Sequence, residues 1–500
     1  MCALALALNL WGIRRDLPYV HDYDEQPFVV NAYGMAVTDG WDPHWFGHPG
    51  STMIYPLRII DDCWITYVHG GDDYQRAAVF GPEVAFQSHS EEYFYLGRLL
   101  SIAYLVASVP VLYFMGRRLF GERVALWGSL LWIVIPQIVA QAQLTRTDTA
   151  ILFFGFLVID LLARYSEHPS QKLRLWIAAS IACAISSHFK MACLGLLWLW
   201  TEWRVHRQKK IAEIPTRHLA DVLLATGCCA LVFLILNPFL FVHLETFRRN
   251  IASETPLQHP GADGFSPVGN LAWYLFQAIP CAFGWIPCAF ALLGGVFVLS
   301  RGSFGQKLLP GFIALYLFGV IWSPLHWERW MTVILPALSF LAINAFFRLI
   351  DTVAAKYRRV LQIAGIALLL LPPLYNLIFQ NIRNSSFNTR MQALQWVQQN
   401  IPKDSKIAYE WYTAPLARQP YHAVEIHALG VHADLKTYRV HGFQYLIVSS
   451  SMYDRFFADP KRYGVETAFY RELFAKGEPE VSFLPSSTVG GPEIRIYRMH

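Results

Sequence analysis

What most constrains this chain is a series of apolar runs, each close to the length that crosses a lipid bilayer. A membrane helix needs roughly 20 mostly apolar residues, because about 30 Å of hydrocarbon is crossed at about 1.5 Å per residue. Runs near that length lie at 93–115, 124–140, 149–165, 173–187, 191–203, 218–242, 281–300, 309–324, 330–350 and 361–380. Composition points the same way: 54% of the 500 residues are hydrophobic and only 15% charged, against roughly 25% charged in soluble domains. An ordinary soluble enzyme and a disordered or fibrous chain are both excluded. So is nucleic acid as a partner, since the net charge of +5 is small for this length and the Lys and Arg residues sit in short clusters rather than along one face.

The cysteines agree. Of eight, Cys183, Cys193, Cys228, Cys229, Cys281 and Cys288 lie in apolar stretches. No Cys/His grouping has the spacing of metal ligands, so neither a disulfide framework nor a zinc site is expected. They read as small apolar fillers between helices.

Sidedness follows from charge. The opening run Met1–Ile13 is too short to span alone and lacks the basic start and small-residue cleavage site of a signal peptide. It reads as the remainder of a first span, clipped by the choice of start codon. With the ten runs it makes about 11 spans. Alternate loops carry Arg117, Arg118 and Arg123; Arg164, Lys172 and Arg174; Arg204, Arg207, Lys209, Lys210 and Arg217; Arg301 and Lys307; Lys356, Arg358 and Arg359. Positive loops stay in the cytoplasm, and 11 spans with the N-terminus inside put all of these on one side. Residues 14–92, with thirteen Asp or Glu against four Arg, then face outward, as do the loop 243–270 and the tail.

The expected fold class is therefore a polytopic α-helical membrane protein of about 11 spans with a small extracytoplasmic C-terminal α/β domain. Residues 1–380 form the transmembrane part, within which the outer loop 14–92 carries interfacial helices around apolar patches such as Met53–Ile60. Residues 381–500 form the second domain. There, Asn388 or Thr389 caps a helix to about Asn400, strands are expected at Lys406–Trp411, Phe443–Ser449, Val481–Leu484 and Glu493–Tyr497, and a helical stretch at Met452–Lys476.

Chemistry concentrates at four outer turns. His21-Asp22-Tyr23-Asp24-Glu25 follows the first span, and the compact pair Asp24 and Glu25 suits a base, a cation site or plain solvated charge. Arg146 and Asp148, at the turn after Gln141, either pair with one another or serve function, since charge at the hydrocarbon border is costly. Asp160, deeper in the next span, reads as the structural partner of Arg164 one turn on. Lys190, in Ser186-Ser187-His188-Phe189-Lys190, offers a point charge to phosphate or snorkels to the headgroups. Arg329, in His326-Trp327-Glu328-Arg329, has the fork that fits phosphate oxygens, with Glu328 beside it to neutralise it. His48 precedes Pro49 and also reads as a turn residue. Taken together, acids and cations from distant loops collect at one membrane face. That arrangement suits joining a water-side acceptor to a lipid phosphate.

The order of these motifs resembles the C-type membrane glycosyltransferases that use polyprenyl-phosphate sugars, in particular the bacterial members of the dolichyl-phosphate-mannose protein mannosyltransferase family, which include the lipid A aminoarabinose transferases. The resemblance rests on Asp24-Glu25, on Asp39-Gly40-Trp41-Asp42-Pro43-His44-Trp45-Phe46-Gly47-His48-Pro49, on Gly116 to Gly121 with Leu144-Thr145-Arg146-Thr147-Asp148, on His188-Phe189-Lys190, and on Glu328-Arg329-Trp330 before Leu335-Pro336. It runs through nearly the whole chain and is carried by order and placement rather than by any one motif. It implies that Asp24, with Glu25 beside it, acts as base on the acceptor, and that Asp148 orients acceptor or base. Lys190 and Arg329 would hold the donor phosphate, with Arg146 and His48 nearby. Departures are the short first span and Trp330, where the family often has tyrosine.

The implied reaction is an inverting transfer from a polyprenyl-phosphate sugar to a hydroxyl of a lipid, glycan or protein acceptor, at the extracytoplasmic face of a bacterial inner membrane. No cofactor is demanded, although the adjacent acids Asp24 and Glu25 can hold a divalent cation, which some relatives of the superfamily use. The rival from another class is a transporter or flippase of a lipid-linked sugar. It would place ionisable groups near mid-membrane and show inverted repeats, and the sequence has few of the former and no repeat. A scaffold in an envelope assembly is a third reading, and it would leave Asp24 replaceable.

Overall fold

The computed structural model describes residues 1–20, 22–208, 216–253, 264–417 and 419–499. His21, Lys209, Lys210 and the middle of the outward loop 243–270 lie outside the described residues. The protein is an integral membrane protein, and each of the ten apolar runs lies on helix. Among the described residues, five helices are long and apolar enough to cross a bilayer, at Pro82–Phe120, Asp148–Glu167, His218–Leu236, Glu328–Thr352 and Ala355–Asn384. Counting two bent pairs raises this to seven.

That number is below the expected 11 for physical reasons. The helices Gln171–Ser187, Cys193–Gln208 and Phe304–Val320 have only 17, 16 and 17 residues. Two runs are broken. Pro136 stops the helix Glu122–Ile133, and the chain bends by 63° into Pro136–Ala142, as a proline with no N–H to donate and a ring in the preceding turn requires. Gly284 adopts φ +90° between Pro267–Phe283 and Trp285–Arg301, which meet at 117°; a Cβ would be strained there. The opening helix Cys2–Leu10 has nine residues, about half a span.

The chain divides into two compact units. The larger holds residues 1–11, 24–253 and 264–377 of the described chain. Its outer loop contains the helices Gln26–Val37, Ser51–Tyr67 and Asp72–Phe80, after which Pro82–Phe120 begins, with a non-helical residue at His89. Asp160 sits between Arg164 (2.6 Å) and Arg118 (3.2 Å), so this charge is committed to structure.

The second unit, described here over residues 12–20, 22–23, 378–417 and 419–499, is built on a five-stranded mixed sheet. Its strands are β1 (Lys406–Glu410), β2 (His422–Ile426), β3 (Tyr445–Ser449), β4 (Val481–Phe483) and β5 (Ile494–Arg498), in the order β2-β1-β3-β5-β4. β1 runs parallel to β2 and β3, and β5 is antiparallel to β3 and β4. Alternation along the strands assigns the faces. Ile407, Tyr409 and Ile447 pack with Ala393, Leu394 and Val397 of the helix Thr389–Asn400, whereas Ala408, Leu446 and Val448 pack with Met452, Phe456 and Tyr470. With both faces covered, β1 and β3 read as near-continuous apolar segments. Asn388 caps Thr389–Asn400 by accepting from the N–H groups of Arg390 and Met391, both at 3.1 Å. Pro460 lies in the break that divides the stretch 452–476 into Ser450–Ala458 and Gly464–Ala475.

Candidate functional site

The site is built where Asp24 and Glu25 meet three later turns, all within the larger unit. Glu25 faces inward from its turn. It is fully buried and accepts a fork from Arg98, Nε at 3.0 Å and Nη2 at 2.7 Å, together with the N–H of Thr145 at 2.8 Å. The helix carrying Arg98 approaches the 144–148 turn closely at Gly97, where a Cβ would lie 2.5 Å from Thr145 Oγ1. Glu25 and Arg98 therefore clamp three segments together.

This corrects the assignment of Glu25 beside the base, because both its oxygens are spent on Arg98 and a backbone N–H. The consequence is measurable. Arg98→Met leaves a buried carboxylate unpaired and is expected to cost about 3–5 kcal/mol, read as a lowered unfolding midpoint. The double variant Arg98→Met/Glu25→Leu is expected to recover most of that loss, and failure to recover would argue for another role for Glu25.

Asp24, one residue earlier, faces the other way. Its carboxylate is bound by Arg329 Nη1 and by Arg146 Nη2 at 3.1 Å. Arg146 thus pairs with Asp24 rather than with Asp148, and Arg329 pairs with Asp24 rather than with Glu328. Arg146 Nη1 also donates to Gln141 Oε1 at 2.9 Å. Burial alone would raise the Asp24 carboxyl, but the two guanidinium groups outweigh it and hold the pKa well below the ordinary carboxylate range.

The remaining residues come from helix ends. Asp148 opens the helix Asp148–Glu167, where the macrodipole favours an anion. His188 ends Gln171–Ser187 and its ring accepts the N–H of Lys190 at 3.3 Å. Lys190 Nζ lies 3.1 Å from the ring centroid of Trp330, a cation–π contact. Trp330 is fixed in turn by Tyr316, whose hydroxyl donates to its carbonyl at 2.8 Å, and the 3-10 turn Glu328–Ile334 that carries it is held by Gln137 Nε2 donating to the Glu328 carbonyl at 2.7 Å. His48 stacks on His188 with centroids 4.7 Å apart. Burial pushes His48 down to about 3, aided by the charges of Lys190 and Arg329, and pushes His188 well below its ordinary value. Both rings are neutral at pH 7.

Asp24, His48, Arg146, Asp148, Lys190 and Arg329 line a single cavity of about 350 Å³. Glu25 is not among its lining residues. Sequence reasoning gave no role to several contributors, among them His188, noted only as Lys190's neighbour; Trp327; and Phe247 and Ile251 from the helix Leu244–Ala252. Ser186 and Ser187 act as braces. Ser186 Oγ accepts from Asn237 Nδ2 at 2.7 Å, and Ser187 Oγ lies 2.7 Å from Thr52 Oγ1. The pair Asp24 and Glu25 does not fit a shared cation, since each carboxylate already answers guanidinium groups from a different direction.

Comparison with known proteins adds a family match over part of the chain and a shared fold over most of it. Residues 93–237 match the family described as dolichyl-phosphate-mannose-protein mannosyltransferase. No curated protein matches the chain by sequence. In fold the chain is similar to ArnT from Cupriavidus metallidurans in the apo state, at 14% identity and a TM-score of 0.52 over 99% of this chain and 96% of that one. It is also similar to the Archaeoglobus fulgidus oligosaccharyltransferase in the apo form, at 11% identity and 0.52 over 93% and 71%. A third likeness is to the oligosaccharyltransferase AglB from Archaeoglobus fulgidus in complex with an inhibitory peptide and a dolichol-phosphate, at 12% identity and 0.50 over 98% and 74%. The family pattern thus covers 93–237, and over nearly its whole length the chain shares the fold of these membrane-embedded transferases.

Proposed function

We propose that the protein transfers a sugar from a polyprenyl-phosphate donor to an acceptor hydroxyl, with inversion, in the cavity that Asp24, Asp148, Lys190 and Arg329 share. That convergence is the observation that carries the reading, and the dolichol-phosphate bound by the AglB relative supports the donor class. Arg329, Arg146 and Lys190 take the donor phosphate, Asp24 takes the acceptor's proton, and Asp148 orients the hydroxyl. The acceptor is a lipid, glycan or protein. The alternation of basic loops along the sequence supports an active face and C-terminal residues 381–500 on the extracytoplasmic side of a bacterial inner membrane.

Charge gives the mechanism its logic. With both histidines neutral, three cations face two carboxylates, one positive charge in surplus. A sugar phosphodiester brings one negative charge and neutralises it. As the acceptor oxygen bonds to the anomeric carbon, its proton goes to Asp24 and the C–O bond to phosphate breaks, leaving polyprenyl phosphate as a dianion. The site stays neutral because the negative charge has moved from carboxylate to phosphate. Preorganised cations facing a developing charge are an efficient way to stabilise it. In the resting site Asp24 holds the two arginines in place. A phosphate that draws them away also releases the base.

The test is the purified full chain with a synthetic polyprenyl-phosphate sugar and envelope glycolipid extract. A new glycosidic bond of inverted anomeric configuration, with polyprenyl phosphate released in equal amount, is the expected result. Sugar crossing a vesicle membrane without cleavage, or a retained configuration, would overturn the reading.

A further inference from the structure

Beside the cavity, two segments about two hundred residues apart in sequence present a second set of chemically able side chains. Asp42 Oδ2 lies 2.6 Å from His243 Nε2 and 3.4 Å from His44 Nδ1, and the three candidate ligand atoms all fall within 4.8 Å of one another. We propose that Asp42, His44 and His243 bind a divalent zinc-type cation that pins the first outer loop to the start of the helix Leu244–Ala252.

The donor set selects the ion. Two imidazole nitrogens and one carboxylate suit zinc and its neighbours, whereas magnesium and calcium prefer oxygen throughout. Three protein ligands leave a fourth position for water, and the exposed His44 provides the way in. The surroundings hold the ligands in place. Asp42 Oδ1 accepts the His44 N–H at 3.0 Å, the ring of Phe46 stacks on His243, and the Phe46 N–H donates to Asn250 Oδ1 at 2.9 Å on the same helix as Phe247. An ion here cross-links two walls of the cavity, since Gly47 and His48 follow its first ligands in the loop and Phe247 and Ile251 follow its third.

A second cluster, His69, Asp73 and His89, gives a built-in control. Asp73 is fully buried and already engaged by both histidines and the Tyr93 hydroxyl, and His69 also meets Glu92 at 3.0 Å. That is a closed hydrogen-bond network.

The proposal stands apart from the transfer reaction and is tested without it. Chelator-treated full-length protein in detergent is titrated with Zn²⁺ by calorimetry and with Co²⁺ by absorption. One ion per chain is expected, with an unfolding midpoint that rises with Zn²⁺. His44→Gln and His243→Gln should each weaken binding by at least ~10-fold and remove the Zn²⁺-dependent rise, while His69→Gln leaves both intact. His44 is exposed, so its variant tests binding with little risk to folding. Binding that persists in the His44→Gln/His243→Gln double variant, disappears in His69→Gln, or never exceeds that for Mg²⁺ would overturn the proposal.

Discussion

Asp24→Asn is expected to lower kcat by roughly a hundred- to ten-thousand-fold, the usual worth of a positioned general base, while the donor's KM falls. The two effects have one cause. Asparagine cannot take the acceptor's proton, so the chemical step fails. It also no longer neutralises Arg329 and Arg146, so both are left to the donor phosphate. Binding of polyprenyl phosphate, followed by quenching of the tryptophans that line the cavity, should tighten in the same variant. A variant that merely unfolded would lose binding and turnover together. Unchanged kcat would remove Asp24 as base.

The pH profile of the unaltered enzyme carries the same logic with a definite sign. A base works only when ionised, so the rate falls as pH drops through its pKa. In the free enzyme the two arginines hold the Asp24 carboxyl well below the ordinary range, which sets the acid limb of kcat/KM. Once phosphate draws Arg329 away and adds negative charge nearby, the carboxyl rises. The acid limb of kcat, which reports the bound complex, is then expected at higher pH than that of kcat/KM. Coincident limbs would mean that the ion pair does not exchange.

How far the sequence led can be judged residue by residue. Charged groups at the edge of apolar runs are costly enough to be conspicuous, which is why Asp24, Arg146, Asp148, Lys190 and Arg329 could be named from their positions. Which way each side chain turns could not be. Asp24 and Glu25 are adjacent, yet one enters the cavity and the other pairs with an arginine 73 residues away. Arg146 was weighed against Asp148 because they are close in sequence, but residues two apart across a helix start need not face one another, and its partner lies on the first outer turn. The sheet of the second unit shows the same limit. The inner strands β1 and β3 announce themselves by apolar runs, whereas the edge strand β2 (His-Ala-Val-Glu-Ile) is too polar to stand out. Pro136 and Gly284 are visible signals for breaks, but run length alone hid them. The His44 and His243 pairing leaves no local pattern at all, since spacing rules see only ligands that are neighbours in sequence.

Arg329→Gln should lower kcat/KM by roughly a hundred- to a thousand-fold, the range seen when one preorganised donor to a developing oxyanion is lost. Most of that loss is expected in kcat. The phosphate carries one negative charge in the donor and two as it departs, so a fixed cation is worth more in the transition state than in the ground state, and only such differential binding speeds the chemical step. Inhibition by polyprenyl phosphate, the dianionic product, should therefore weaken more than donor binding does. Arg329→Lys restores the charge without the planar fork and is expected to recover only part of the rate. Removing Arg329 also takes one of the two guanidinium groups from Asp24, so the carboxyl should rise and the acid limb of kcat/KM should move toward that of kcat. A fall confined to KM, with kcat and the pH limbs unmoved, would make Arg329 a plain anchor for the donor and shift the burden of stabilising the leaving phosphate to Lys190, whose position over the Trp330 ring leaves its ammonium facing the same cavity.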